Sequence, residues 1–279
     1  MTPFRTLLKA AGPLVMPGAH DALCARMIEQ AGFKAYGVGG SALSAAQLAL
    51  PDLGLQSFGE YRDAVRRIVE ASSLPVMVDG ENGFGDPKAV TRTIRTFEDM
   101  GVGALALEDL TFPPVLGRPP SVISLDEMTM KLEAALHARR SEDFFLIGRT
   151  DAAYAVGLDE ALARIRRFEK LGVDAAMVTG VSDPDALARV RDAVKVPLVA
   201  LILEGLPGVL TAGALWRIGF DAILHPANLL LRVAGGIRDG LAAIRADDVG
   251  LAAGAFGYAE LGPVLRAADW AEVDARRTS

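Results

Sequence analysis

Cysteine is almost missing from this chain, which has one, Cys24, in 279 residues. A single thiol excludes an internal disulfide and fits a reducing compartment, so a cytoplasmic location is expected. Basic residues are outnumbered, 29 Lys and Arg against 35 Asp and Glu, for a net charge of −6. A chain without a basic excess is a poor partner for nucleic acid, because phosphate binding needs a cationic face. No apolar run approaches the ~20 residues of a membrane span, so no membrane partner is expected. The start, MTPFRTLLKAAGPLVMPG, has no clear cleavage site, which argues against a secretory signal. No G-x-G-x-x-G turn follows any strand-like run, so a dinucleotide fold is disfavoured.

What is present is a repeated placement of charge. LPVMVDGENGFG sets Asp79 and Glu81 after a short apolar run. ALALED does the same for Glu108 and Asp109, FFLIGRTD for Arg149 and Asp151, VALILE for Glu204, and AILHP for His225. Short runs rich in Val, Ile and Leu between turn residues read as buried parallel strands. Their carboxyl ends are where ligands bind in α/β folds. QAGFKAYGVGG, DMGVGALALED, KLGVDAAMVTG and RIGFDAILHP share one form, a helix ending on Gly followed by a strand. With PLVMPGAH, SLPVMVDGE, FFLIGRTD and KVPLVALILE this makes eight strands, most followed by amphipathic stretches such as LDEALARIRRFEKLG. The predicted fold is a (β/α)8 TIM-type barrel over residues 1–246, with a helical appendage over 247–279. Phe256, Tyr258, Leu261 and Trp270 in that appendage are expected to pack on a neighbouring element or subunit.

Three carboxylates and an arginine at one rim suggest a divalent metal holding an anionic substrate. Asp79, Glu81 and Glu108 suit Mg²⁺, which takes oxygen ligands and keeps several waters; the alternative is ordinary rim acids, or acids paired with Arg149. Arg149 follows an apolar run, where an unpaired charge is expensive. Its planar fork suits a substrate carboxylate, and the alternative is a structural ion pair with Asp151, Glu108 or Glu204. Gly39, Gly40 and Ser41 end the second strand and allow backbone N–H groups to approach an anion, or form a plain tight turn. His225 is a proton carrier or hydrogen-bond donor, or a rim histidine satisfied by its neighbours. His20 is a weaker candidate, His137 is read as solvated, and Cys24 as a core residue.

Taken together and in order, PGAHDALCARMIEQAGFKAYGVGGSALSAAQLALPDLG, VDGENGFGD, LED and GRTDA resemble the isocitrate lyase / phosphoenolpyruvate mutase superfamily, from about Pro17 to Arg245. The resemblance implies a barrel with Mg²⁺, or Mn²⁺, at its mouth and a helix-swapped subunit pair, usually within a tetramer formed as a dimer of dimers. It implies C–C or P–C bond chemistry beside an α-oxo carboxylate, by way of a metal-stabilised enolate. By motif, Asp79, Glu81 and Glu108 correspond to the metal-site acids and Arg149 to the carboxylate-binding arginine. Gly39, Gly40 and Ser41 match the loop that holds the substrate carboxylate. Asp52 in LPDLG corresponds to an acid near the reacting centre.

Three departures narrow the reading. The loop TFPPVLGRPPSVIS lacks the K-[KR]-C-G-H motif of the lyase branch and the lysine usual in the mutase and hydrolase branches, so Arg118 is its one cation. The family's usual D-x-D is D-G-E, with the longer Glu81. Asn82 stands where Thr or His is usual. The loop form F-P-P-x-x-G-R looks most like the oxaloacetate decarboxylase-like branch. The expected activity is therefore a Mg-dependent lyase that decarboxylates an oxaloacetate-like acid. Arg149, Asp52 and His225 are its expected catalytic residues, and Gly39, Gly40, Ser41, Arg149, Glu204 and Arg118 its substrate-binding ones. The alternatives are a hydrolase or mutase acting on the P–C bond of phosphonopyruvate-like substrates, and a catalytically silent metabolite-binding barrel.

Overall fold

Eight parallel strands follow from eight short apolar runs. They are β1 (Leu14–Pro17), β2 (Tyr36–Val38), β3 (Val76–Asp79), β4 (Ala104–Glu108), β5 (Phe145–Thr150), β6 (Ala175–Val178), β7 (Leu198–Leu201) and β8 (Ala222–His225). In this computed structural model, which describes residues 2–115, 117–250 and 254–276, they form one sheet in the order β1-β8-β7-β6-β5-β4-β3-β2. A parallel bridge between Gly18 and Gly37 closes it into a (β/α)8 barrel. The strands are apolar throughout because both faces are covered. Alternate side chains point inward, where Met16, Met77, Ile147, Met177 and Leu224 fill the barrel and Ala104, Ala106, Ala175 and Ala222 leave them room. The other set, including Val38, Val78, Leu105, Leu107 and Ile223, meets the helices.

The helices that connect and follow the strands are α1 (Ala22–Gln30), α2 (Phe58–Ala71), α3 (Pro87–Asp99), α4 (Leu125–Ala138), α5 (Leu158–Leu171), α6 (Pro184–Ala193), α7 (Ala212–Ile218) and α8 (Asn228–Arg245). Their starts are written in the sequence. Ser57 and Glu60 form a capping box on α2, while Asp86 caps α3 ahead of Pro87. The predicted glycine stops hold: Gly172 ends α5 at φ 95° and Gly219 ends α7 at φ 110°. The face of the barrel away from the charged strand ends is sealed by Phe4, 6.0 Å from the Phe145 ring, and by buried Asp174, which pairs with Arg5 and Arg139. Cys24 is buried in α1, as expected.

Helix α8 differs from the other seven. Asn228 is its one buried residue, and Leu231, Val233, Ile237, Leu241 and Ile244 are all exposed. Beyond it, the helix Tyr258–Val264 docks on α1 of its own chain. Arg26 donates to the Val264 carbonyl and Gln30 to that of Pro263, each at 3.3 Å. The appendage thus has an intrachain seat, while Phe256, Tyr258 and Trp270 remain exposed and Leu261 is half-buried. Residues 251–253 and 277–279 of this segment lie outside the described residues. No described helix is long and apolar enough to cross a membrane.

Candidate active site

The carboxyl ends of β3, β4 and β5 bring the expected charges together. Glu108 and Arg149 are direct partners in the β4–β5 register. Arg149 Nη1 lies 2.8 Å from Glu108 Oε2 and 3.0 Å from Asp79 Oδ2. The other edge of the fork is held by Asp151, through Nε at 3.0 Å and Nη2 at 3.2 Å. Of the ion pairs weighed from sequence, those with Asp151 and Glu108 form, Asp79 adds a third, and Glu204 takes no part. Glu204 sits outside, paired with Arg232 of α8 at 3.0 Å.

Asp79 also organises the turn that follows it. Its Oδ1 accepts the Glu81 N–H at 3.0 Å, and its backbone carbonyl accepts the buried Tyr61 hydroxyl at 2.5 Å. Glu81 is left-handed, at φ 52°, a conformation that costs a non-glycine residue energy and collects at functional sites. Its own carbonyl accepts the Glu108 N–H at 2.9 Å, and Lys131 Nζ donates to the next carbonyl, of Asn82, at 3.0 Å. The Glu81 carboxyl lies against Gly40: a Cβ there would stand 1.6 Å from Oε1. The glycine expected to bring backbone N–H groups to an anion therefore also makes room for the longer acid of D-G-E.

Burial pushes the pKa of Glu81 well above the usual carboxylate range, and repulsion from Asp79, Glu108 and Asp52 adds to it. Burial does the same to Glu108, against the pull of Arg149. Asp52, on the loop before α2, is raised by loss of water and by Asp79. Burial works against the charge on Arg149, but Glu108, Asp151 and Asp79 hold it charged. Asp52, Asp79, Glu81, Glu108 and Asp151 thus surround one guanidinium. An excess of hard oxygen donors at the mouth of a barrel suits a divalent cation. Mg²⁺ is commonly held by one or two carboxylates and its own waters; among the described residues no three His, Cys, Asp or Glu side chains, these acids included, already stand close enough together to hold an ion directly.

Asp109 follows Glu108 and so faces the opposite way, into the helix layer. It is fully buried and accepts from Thr150 Oγ1 at 2.5 Å, from the Asp151 N–H at 2.9 Å and from Arg164 Nη1 at 2.9 Å. Arg164 also holds the Ile123 carbonyl at 2.9 Å, where the loop Thr111–Ser124 rejoins the barrel. This network fixes the strand end that carries Arg149 to the root of the loop. The sequence reading gave it no role, although the adjacent acids in LED carry the signal for two opposite faces. Thr150→Val removes one hydroxyl that serves both Asp109 and the Ala152 N–H. It is expected to cost about 1–3 kcal/mol in urea unfolding; an unchanged midpoint would show that the network is not needed for the fold.

The remaining candidates are spread around the mouth. Gly39 caps the short helix Gly40–Leu43, whose first turn has no side-chain cap, and Ser41 is exposed there. His225 ends β8, and Asn228 Nδ2 sits 2.7 Å from its Nδ1. Burial lowers its pKa, Glu204 opposing, and with Nδ1 accepting from the Asn228 amide the ring's free donor would be Nε2. His20 is buried, and its Nδ1 has no partner among the described residues. His137 is exposed on α4, as read, and Arg118 is exposed in its loop.

A family profile described as phosphoenolpyruvate phosphomutase matches residues 4–245. The chain belongs to the phosphoenolpyruvate mutase/isocitrate lyase superfamily. A member from Corynebacterium glutamicum, a probable 2-methylisocitrate lyase 2, is 37% identical over 240 residues, 85% of this chain and 78% of that one. The oxaloacetate decarboxylase of Paraburkholderia xenovorans is 36% identical over 208 residues, 74% of this chain and 69% of that one. Among solved superfamily structures, oxaloacetate acetylhydrolase with the inhibitor 3,3-difluorooxalacetate matches with a TM-score of 0.91 at 28% identity, over 99% of this chain and 96% of that one. The relatives include proteins named as 2-methylisocitrate lyase, 2,3-dimethylmalate lyase and oxaloacetate decarboxylase, and this chain is an enzyme of that superfamily. Identities of 37% and 36% do not separate the two named activities, so the choice between them rests on the site.

Proposed function

We propose that this protein is a Mg²⁺- or Mn²⁺-dependent lyase that cleaves the C–C bond beside an α-oxo carboxylate, releasing CO₂ from a small oxaloacetate-like acid. The observation that carries it is Arg149 set among Asp79, Glu108 and Asp151 at the barrel mouth. Asp79, Glu81 and Glu108 would hold the cation, which when bound supplies positive charge beside the oxo oxygen. Asp151 fixes one edge of the Arg149 fork. Its Nη1, shared between two acids, is the edge free to exchange a carboxylate for that of the substrate. The uncapped N–H groups at Gly40 and Ser41 add donors for the same anion. His225, neutral and tied by Asn228, donates a hydrogen bond rather than a full charge. Loss of CO₂ needs no general base to begin. This agrees with a loop, Thr111–Ser124, that has neither the cysteine of aldol-type cleavage nor the lysine usual in P–C chemistry.

The test is pyruvate release from oxaloacetate with Mg²⁺, read against a metal-only blank because free metal promotes this reaction. Turnover well above the blank is expected. Turnover equal to the blank, with phosphate released from phosphonopyruvate, would move the assignment to the second reading.

Assembly belongs to the same proposal. The exposed apolar face of α8 is the element a second subunit would cover, giving the swapped pair within a tetramer. Light scattering is expected to give a mass above that of one chain, and Ile237→Asp with Leu241→Asp to reduce it. A wild-type monomer would contradict the proposed exchange.

A further inference from the structure

Beside the acid cluster lies a cavity of about 360 Å³, walled by Ser44, Gln56, Phe58, Phe84 and Phe112 and bordered by Asp52 and Glu81. The aromatic wall is built from separate segments. The Phe58 and Phe84 rings meet edge-on at 5.1 Å, and Tyr61 lies 5.3 Å from Phe84. Gly54, at φ 68°, lets the loop before α2 close on Phe112, since a Cβ there would stand 2.9 Å from the ring. The polar groups offered are the side chains of Ser44, Gln56 and Asn82.

The cavity has acids but no cation among its described lining residues. Three cations near the site are already engaged. The Arg149 fork is turned to three carboxylates. Lys131 donates to the Asn82 carbonyl from outside. Arg92 stacks on Phe58, 5.2 Å from its centroid, without lining the space. The cation proposed above would offset the acids that hold it but not the phenyl rings or Asp52, so an anion placed here still loses water and meets repulsion. A neutral group meets neither penalty.

Resting on the decarboxylase reading above, we infer that this cavity is the subsite for the end of the substrate remote from the Arg149-bound carboxylate, and that it disfavours a charged end relative to a neutral one. In the cleavage step the C–C bond breaks and its electron pair stays with the carbon that becomes the enolate. The departing carboxylate leaves as neutral CO₂, and a proton from water then completes the ketone. A wall that disfavours the carboxylate relative to CO₂ raises turnover at the expense of ground-state binding. It also makes the pocket hospitable to 2-oxo acids with neutral tails.

Two inhibitors separate the cases: 2-oxobutanoate, with a neutral tail, and 3-sulfopyruvate, whose tail keeps its charge. Against oxaloacetate turnover at fixed Mg²⁺, 2-oxobutanoate is expected to bind about tenfold or more tightly than 3-sulfopyruvate, the order set by like-charge repulsion. Gln56→Lys, which brings a cation to the wall, should reverse the order and lower kcat for oxaloacetate while KM falls. Arg118→Ala should leave the wild-type order intact. If wild type cleaves oxaloacetate yet prefers 3-sulfopyruvate, the subsite assignment is overturned while the lyase reading stands. The same holds if Arg118→Ala changes the order, because the loop arginine would then be the partner of the tail. If oxaloacetate is not cleaved and neither inhibitor binds, both readings fall.

Discussion

Arg149→Lys is expected to lower turnover by about 10²–10³-fold, the usual loss when one donor to a developing oxyanion or its carboxylate anchor is removed. Lysine keeps the charge but is a point donor on a flexible stem. It cannot hold Asp151 with two nitrogens on one edge while a third, at 2.8 and 3.0 Å from Glu108 and Asp79, serves the other. Arg149→Met should do more, since it leaves three largely buried carboxyls facing one another. Breaking a buried pair from one side typically costs about 3–5 kcal/mol. Part of that loss is recovered by protonating Glu108, whose burial already favours the neutral acid. Urea unfolding and steady-state rates on the two variants separate the anchor from the scaffold. Near-normal turnover in Arg149→Lys would show that the fork is structural only.

Gly40→Ala should be nearly as damaging to activity, with little effect on the fold. Gly40 opens a helix, and alanine there carries a propensity gain of up to ~1 kcal/mol. Its methyl, however, would fall 1.6 Å from Glu81 Oε1 and 2.9 Å from Cδ, so the carboxyl must leave its place. A loss of about 10²-fold or more in turnover is expected, of the size seen for displaced active-site groups. The double variant Gly40→Ala with Glu81→Asp should recover part of it, because the shorter acid withdraws from the new methyl. A double variant no better than the single one would mean that Gly40 matters for another reason, such as its own N–H.

The sites easiest to read from the sequence are those fixed by strand ends. Asp79, Glu108 and Arg149 each follow an apolar run, and parallel strands bring such ends to one rim whatever the loops do. The glycine stops were legible for a similar local reason, since the left-handed turn at Gly172 or Gly219 needs no distant partner. What escaped depends on segments far apart in the chain. Tyr61 and Lys131 reach the β3 turn from α2 and α4. The wall of the cavity is assembled from Phe58, Phe84 and Phe112, none of which carries a motif. Glu204 follows its apolar run as the other acids do, yet β7 stops at Leu201, and the residue turns outward to Arg232. The appendage, expected to pack on a neighbouring element or subunit, meets α1 of its own chain, and the polar contacts at Arg26, Gln30 and Arg266 that hold it there carry no sequence signal.

On the proposed function, the acids around Arg149 form a cation site at which an α-oxo acid is bound. Calorimetric titration of Mg²⁺ into the wild-type protein, with and without oxalate as a mimic of the enolate, tests it most directly. One ion per chain, bound more tightly with oxalate and lost in a folded Asp79→Ala variant, is the expected result. No binding in either condition, or binding that Asp79→Ala leaves unchanged, would contradict it.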